Sequence, residues 1–345
     1  MTGWTLGLVR AVVAGLGLGT VAILAYLFIP YSELELVLAG LREVIWYEVA
    51  ILLVLQLITL SVIVYQWTVL LQRVDVGTRA GSGAGPSPSP GPGNGAGPVS
   101  FFSVALRYLG GGLIEAVTPS SKLGGESARI VLFRRRFGIG IGQLAAATGL
   151  RALCMTVGLL LVVPPMTAIL GGAAVNRVFG LGTLHTVVAP AAALVTLVLG
   201  AAVVARLARR YRGALPSKRL LGTLVGTSVL VWLLYPAKVM LAAYIVRVAV
   251  APEALFAATY GAYFLGLLPL TPGGVGVYEA GMIGILAASG VAPSQAAMVA
   301  LMSRTTTFWW PLLLSLCAAG VLLAKEALAK RVAASTAASE VTSQA

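Results

Sequence analysis

The sequence predicts an all-α polytopic membrane protein, and both its composition and its apolar runs lead to that class. Hydrophobic residues make up 59% of the 345 residues and charged residues only 10%, with a mean hydropathy of +0.95. In soluble domains roughly 25% of the residues are charged. Several apolar runs reach the ~20 residues that a helix needs to cross a bilayer core, and a helix satisfies its own backbone hydrogen bonds in lipid. A water-soluble class is therefore excluded.

Six runs are long and apolar enough to be full transmembrane helices. They lie at residues 5–29, 45–71, 139–164, 184–206, 220–248 and 296–324. Two further segments, 99–137 and 253–290, each have an apolar arm that Thr-Pro and glycines separate from a second arm. Proline and glycine interrupt a helix, and irregular backbone at membrane depth survives only where protein or a watery cavity covers it. We therefore predict two re-entrant or broken helical hairpins.

Two stretches are predicted to lie outside the packed bundle. Residues 77–98 are expected to form a disordered loop, because the run 81–98 is almost wholly Gly, Pro, Ser and Ala. Residues 332–345 are small and polar and predict a flexible tail.

The 24 Lys and Arg residues, against 11 Asp and Glu, predict the orientation of the chain. They cluster beside the apolar runs, at residues 134–136, 206–219 and 325–331. This pattern is typical of cytoplasmic loops that face anionic lipid headgroups, and no nucleic-acid partner is expected. The sequence thus predicts a multi-pass protein of the cell membrane with both termini in the cytoplasm.

An internal repeat relates the two hairpins. Four residues recur with one spacing of 153 residues: Thr118 as Thr271, Pro119 as Pro272, Glu126 as Glu279, and Arg151 as Arg304. The first repeat covers about residues 5–164 and the second about 184–324, within a single transmembrane domain of residues 1–331. Each repeat has three full crossings, an odd number, so the second copy is expected to be inverted. Inverted repeats with broken helices are typical of transporters, whose substrate site lies at the repeat interface.

Ionisable residues within these apolar segments are the candidates for a binding site, because inserting one into a membrane costs ~2.5–3.5 kcal/mol. The candidate substrate-binding residues are Arg151, Arg304, Glu126, Glu279, Lys122, Lys238, Arg129, Thr118, Pro119, Thr271, Pro272, Gly273, Gly274, Gly276 and Tyr278. In one interpretation each arginine pairs with a hairpin glutamate and only fixes the hairpin. In the other, the cations line a wet cavity and bind an anionic headgroup. The two interpretations are compatible, and no catalytic residue, metal site or cofactor is predicted.

Two pairs of motifs carry a family resemblance. They are LPLTPGGVGVYEAGMIGILAASGV followed by SRTTTFWWP, and TPSSKLGGESARIVLFRRRFG followed by ATGLRAL. On these motifs the chain resembles the lysylphosphatidylglycerol synthase transmembrane region family, also called flippase-like domain proteins, over about residues 5–325. The resemblance implies a membrane domain that moves a lipid between leaflets. Because only a short polar tail follows residue 331, we expect the aminoacyl transferase domain of larger members to be absent.

Three hypotheses of function follow. The first is a flippase-like transporter for a lipid with a polar, anionic or phosphate-containing headgroup, with membrane lipids as its partners. The second is an integral membrane glycosyl or aminoacyl transferase for a lipid-linked substrate, with Glu115, Glu126 and Glu279 as its available bases. The third is a non-transporting membrane partner of a separate lipid-modifying or glycosyl transferase.

Overall fold

Every regular element in the described part of the chain is helical, which confirms the all-α class. The computed structural model describes residues 42–81, 98–118, 121–170 and 217–344, with single positions at 35, 37, 39, 40, 191, 195 and 198. The helices are α1 (Trp46–Gly81), α2 (Phe101–Val117), α3 (Ser121–Phe137), α4 (Ile141–Leu170), α5 (Lys218–Ile245), α6 (Pro252–Gly266), α7 (Val277–Ala288), α8 (Pro293–Arg304) and α9 (Trp310–Gln344). A 3₁₀ turn (Pro272–Gly274) precedes α7, and a π-helical segment (Thr305–Trp309) joins α8 to α9.

Four helical segments of the described chain are long and apolar enough to cross a membrane. They are Trp46–Val74, Ile141–Thr167, Lys218–Ile245 and Pro293–Ala329. These coincide with four of the six predicted spans. The predicted span 5–29 lies outside the described residues, as does 184–206 apart from three single positions.

The two interrupted segments are pairs of short helices, as predicted. The first hairpin is α2–α3, with 17 residues in each arm, and the second is α6–α7, with arms of 15 and 12 residues. A helix of 12 residues rises only ~18 Å, which is less than the ~30 Å of a bilayer core. Shifting α2 and α3 by the repeat spacing brings them onto α6 and α7 to within a few residues, so the repeat seen in the sequence is also a repeat of structure.

The break in the second hairpin depends on glycine. Gly273, Gly274 and Gly276 have φ values of 61°, 67° and 86°, a left-handed backbone that residues with a side chain rarely adopt. These angles turn the chain sharply between α6 and α7, and Gly276 then becomes the N-cap of α7.

Each hairpin has its own hydrophobic core. The second hairpin packs with α8 around Met282, which has no exposed surface. The first hairpin packs with α4 around Trp67 of α1 and Phe133, whose rings lie 5.1 Å apart. Helix α5 contributes Val231 to one core and Val239 to the other. It therefore joins the two halves of the bundle.

Two helices extend further than the sequence predicts. Helix α9 reaches Gln344 and so includes the segment predicted to be a flexible tail from residue 332. This segment is rich in alanine, and lengthening an existing helix needs no new nucleus. Helix α1 continues to Gly81, so residues 77–81 of the predicted disordered loop are helical, as an extension of the preceding span that needs no new nucleus. Residues 82–97 of that loop lie outside the described part.

Gly158 of α4 yields a test of how closely α4 and α5 pack. A Cβ added there would lie 2.7 Å from the Cβ of Ser228 and 2.9 Å from its carbonyl carbon. We expect Gly158→Ala to lower the free energy of unfolding by about 1–3 kcal/mol, because an overpacked contact forces the backbone to shift. Thermal unfolding of the detergent-solubilised protein measures this. Gly149→Ala on the same helix is the control, since its added Cβ meets nothing within 4 Å, and an equal loss in both variants would contradict the interpretation.

Candidate functional site

A cavity of about 210 Å³ with charged side chains in its wall lies where the two hairpins meet. Residues of α1, α2, α3, the helices from α5 to α9, the 3₁₀ turn and the π-helical segment line it. The first hairpin reaches the cavity through Ala116, just before its break, and the second through Gly273 within its break. A Cβ added to Gly273 would lie only 3.2 Å from the carbonyl oxygen of Ala116. Both breaks therefore meet at one cavity, as expected for a site at a repeat interface.

A buried ion pair ties the second hairpin to the helix that follows it. The Nε of Arg304 lies 2.7 Å from the Oε1 of Glu279, whose side chain has no exposed surface. The other glutamate oxygen accepts a hydrogen bond from the N–H of Gly276 at 2.7 Å. The Nη2 of Arg304 donates to the carbonyl of Gly273, also at 2.7 Å. The pair thus satisfies backbone groups that the break in the hairpin leaves open.

Arg304 also forms part of the cavity wall. Its guanidinium lies 4.9 Å from the ring centre of Tyr278 and 4.5 Å from that of Phe308, and all three residues line the cavity. Phe308 belongs to the π-helical segment. Such segments are frequent at functional sites, and the equivalent residues 152–156 of the first repeat are regular α-helix in α4.

The first hairpin carries a larger charge cluster. The Oε1 of Glu126 accepts a hydrogen bond from Arg129 at 3.1 Å and lies 3.5 Å from Arg151 of α4. The guanidinium of Arg151 is 5.4 Å from the ring centre of Trp67. Arg151 and Glu126 pair as their counterparts in the second repeat do, but neither lines the cavity. The pair that faces the cavity is Arg129 with Glu115, joined at 2.5 Å.

The Arg129–Glu115 pair has no equivalent in the second repeat. The repeat spacing matches Glu115 with Leu268 and Arg129 with Met282. The sequence singled out Arg129, whereas Glu115 entered only as an available base. Glu115 could have been found as an acidic residue in the otherwise apolar first arm of the hairpin. A basic residue, Arg129, follows in the second arm beyond the predicted break, and such charges within a membrane segment are expected to pair.

Close backbone approach makes room for this pair. A Cβ added to Gly111 would lie 2.6 Å from the Cγ of Arg129, and one added to Gly125 would lie 2.6 Å from the Cβ of Glu115. Glycines at these positions let the two arms of the hairpin approach closely, as small residues do between membrane helices. The Nε of Arg129 also donates to the carbonyl of Tyr108 at 3.3 Å. Its guanidinium lies 4.2 Å from the ring centre of the same tyrosine.

Lys238 lies just behind the cavity wall. Its side chain is 1% exposed, and its Nζ donates to the Oε1 of Gln56 at 2.5 Å and lies 4.5 Å from the ring centre of Tyr235. Gln56 and Tyr235 both line the cavity. Lys238 takes part in none of the ion pairs found among the described residues. Within the described residues, the amino group of Lys238 therefore lies close to the cavity and contacts an amide oxygen and an aromatic ring.

An aromatic wall on α5 and α6 was not predicted from the sequence. Trp232, Tyr235, Tyr260 and Tyr263 line the cavity, with ring centres of contacting pairs 5.1–6.0 Å apart. The hydroxyl of Tyr260 donates to the carbonyl of Trp232 at 2.6 Å. On each helix the two residues of this wall are three positions apart, which places them on one face. That spacing is the signal in the sequence, but it does not reveal that the two faces meet.

The remaining candidates lie at the breaks rather than on the cavity wall. The hydroxyls of Thr118 and Thr271 donate to the carbonyls of Ile114 and Val275, both at 2.8 Å. These bonds stabilise the chain where each first arm ends.

Pro272, Gly274 and Gly276 do not line the cavity. Pro272 is exposed at the start of the 3₁₀ turn, whereas Pro119 lies outside the described residues. Gly274 and Gly276 shape the backbone of the break. Lys122 lies in the first turn of α3, and its side chain is outside the described part.

A family model matches most of the chain. The model described as "Lysylphosphatidylglycerol synthase TM region" matches residues 11–315, a range that contains both hairpins and every residue of the cavity wall named above. No curated protein and no solved structure matches the chain.

The two ion pairs of the repeats are expected to differ in their contribution to stability. Glu279→Gln leaves the charge of Arg304 buried without its partner, which costs about 3–5 kcal/mol. Glu126→Gln should cost less, because the side chain of Glu126 is 24% exposed and lies farther from Arg151. Thermal unfolding of both variants in the same detergent measures the difference. Equal losses would show that burial does not set the strength of these pairs.

Proposed function

The chain belongs to the lysylphosphatidylglycerol synthase transmembrane region family, and from this premise we propose that it is a flippase-like transporter. Its cargo is a lipid with an anionic or phosphate-containing headgroup, which it moves between leaflets. The observation that carries the proposal is the cavity between the two hairpins, with Arg129 and Arg304 in its wall. A guanidinium can bind two phosphate oxygens at once, and cations held inside a membrane bundle mark substrate pathways.

The size of the cavity supports movement of the headgroup alone. A volume of about 210 Å³ holds a polar headgroup but not a pair of acyl chains. The chains then remain in the bilayer beside the bundle, where each CH₂ is favoured over water by ~0.8 kcal/mol. Rocking of one repeat against the other would expose the cavity to each side in turn. Helix α5, which contributes to both cores, is the natural axis of that motion.

The distribution of charge supports an orientation in the cell membrane. Arg134 and Arg135 are exposed at the end of α3, and further basic residues follow the last span at 325–331. Basic residues beside spans favour the cytoplasmic side. With both termini in the cytoplasm, the first hairpin enters from the cytoplasm and the second from the opposite side, so that the repeats are inverted.

Removing the cavity arginine of the first hairpin should stop lipid movement. Arg129→Gln is expected to reduce the translocation of a fluorescent phosphatidylglycerol at least tenfold, because a charge-assisted contact contributes about 1.5–3 kcal/mol. Quenching of the outer-leaflet fluorophore in reconstituted vesicles measures the rate. The control is Arg107→Gln: this arginine of α2 donates to Ser103 and does not line the cavity. If Arg129→Gln elutes as a folded protein in size-exclusion chromatography and still moves lipid at the wild-type rate, the proposal is contradicted.

A transferase for lipid-linked substrates is the second candidate, and one observation favours it. Glu115 is the only carboxylate among the cavity-lining residues of the described chain, so a base is present beside the arginines. Incubating purified protein with a lipid acceptor and an activated sugar or aminoacyl donor tests this function by mass spectrometry. Product formation that Glu115→Gln abolishes would favour the transferase, whereas lipid movement without any product would reject it.

A further inference from the structure

We propose that Glu115 occupies the anion-binding side of Arg129 while the cavity is empty, and that a phosphate group of the cargo replaces it on binding. The inference rests on the proposed function, since it names the group of the cargo and the residue that yields to it. The shared chemistry is a phosphate anion, carried either by a lipid headgroup or by free phosphate.

The geometry leaves Arg129 one side from which to receive an anion. Its Nη1 donates to Glu126 at 3.1 Å and its Nε to the carbonyl of Tyr108 at 3.3 Å. Its Nη2 donates to the Oε2 of Glu115 at 2.5 Å. Of these three partners, Tyr108 and Glu115 line the cavity and Glu126 does not, so Glu115 is the anionic partner at the cavity wall. An anion that enters the cavity and approaches Arg129 therefore reaches the position that Glu115 holds.

Pairing favours displacement of Glu115 rather than Glu126. The side chain of Glu115 is 21% exposed, against 4% for Arg129. Glu126 is exposed to a similar extent, but it lies between Arg129 and Arg151. Removing Glu126 would leave two arginines without that carboxylate, while Arg129 keeps Glu126 when Glu115 leaves. In the first hairpin, Glu126 thus remains bound to Arg129, whereas Glu115 can be replaced by the phosphate group of the cargo.

The second hairpin has no exchangeable carboxylate. Both oxygens of Glu279 are bound, one to Arg304 and one to Gly276, and the side chain has no exposed surface. The position equivalent to Glu115 is Leu268. Exchange therefore belongs to one repeat, and the two halves of the cavity differ in function although their folds correspond.

An exchangeable carboxylate meets two requirements of a transport site. Arg129 and Arg151 share the single carboxylate of Glu126, so a second anion balances the buried positive charge when no cargo is bound. A site that binds its cargo too tightly does not release it, and a competing carboxylate weakens the net affinity. Glu115 provides both effects through its hydrogen bond to Arg129.

Binding measured by calorimetry on the full-length protein in detergent tests the exchange. The probes are dihexanoyl phosphatidylglycerol, inorganic phosphate and uncharged dihexanoylglycerol. Glu115→Gln is expected to bind dihexanoyl phosphatidylglycerol about tenfold more tightly than the wild type, because a charge-assisted competitor has been removed. A gain limited to the phospholipid supports exchange for a lipid headgroup, and a gain that extends to inorganic phosphate supports exchange for either source. No gain, weaker binding, or an equal gain for dihexanoylglycerol overturns the proposal.

Glu48→Gln is the matched control, because it also removes a carboxylate from an arginine. Glu48 accepts a hydrogen bond from Arg247 at 2.8 Å beyond the end of α5, away from the cavity. That hydrogen bond raises the pKa of Arg247. The affinity of this variant for dihexanoyl phosphatidylglycerol should equal that of the wild type.

A second variant covers the case in which Glu115→Gln does not fold. Glu115→Asp keeps the charge but shortens the side chain by one CH₂, which weakens the contact with Arg129, and a smaller gain in affinity is expected. Unchanged or weaker binding by this variant overturns the proposal.

The translocation assay distinguishes failure of the exchange from failure of the proposed transport function. Lipid movement by the wild type without a gain in Glu115→Gln rejects only the exchange, whereas tighter binding without any lipid movement rejects only the proposed function.

Discussion

The position of the two broken hairpins inside the bundle depends on one ion pair in each repeat. Each pair holds a hairpin against the helix that follows it. Arg304 lies 2.7 Å from Glu279, and Arg151 lies 3.5 Å from Glu126. A broken helix leaves backbone groups open, and neither these groups nor a single buried charge is tolerated in an apolar bundle. The charged side chains meet both needs, since Arg304 also donates a hydrogen bond to the open carbonyl of Gly273. The breaks can then lie inside the bundle, and a cavity with charged side chains in its wall forms where they meet.

The two repeats use this common framework differently. In the second repeat the pair is buried, and Arg304 lines the cavity in contact with the rings of Tyr278 and Phe308. In the first, the corresponding pair is withdrawn from the cavity, and an additional pair, Arg129 with Glu115, faces it. Sequence divergence between repeats thus changed which charges are accessible without changing how the hairpins are fixed. Arg304 both fixes its hairpin and lines the cavity, whereas in the first repeat Arg151 pairs with the hairpin and Arg129 lines the cavity.

The sequence predicted the elements and the pairs well because their signals are local or periodic. Apolar runs of sufficient length indicated the spans that the structure describes, and Thr-Pro with neighbouring glycines indicated both breaks. The spacing of 153 residues linked each glutamate to its arginine before any distance was known. The extent of α9 was missed, because the polarity of its last residues was given more weight than their helix propensity.

What the sequence by itself determined is the class of the fold, the two broken hairpins and the identity of the residues that pair within each repeat. Only the tertiary structure decided which of those residues reach the cavity. Glu115 and the aromatic wall formed by Trp232, Tyr235, Tyr260 and Tyr263 belong to it, whereas Arg151 and Glu126 do not. The physical reason is that membership of a cavity depends on how helices from both repeats cross and rotate against one another. Spacing along one chain specifies the face of a helix, but not the partner that this face meets.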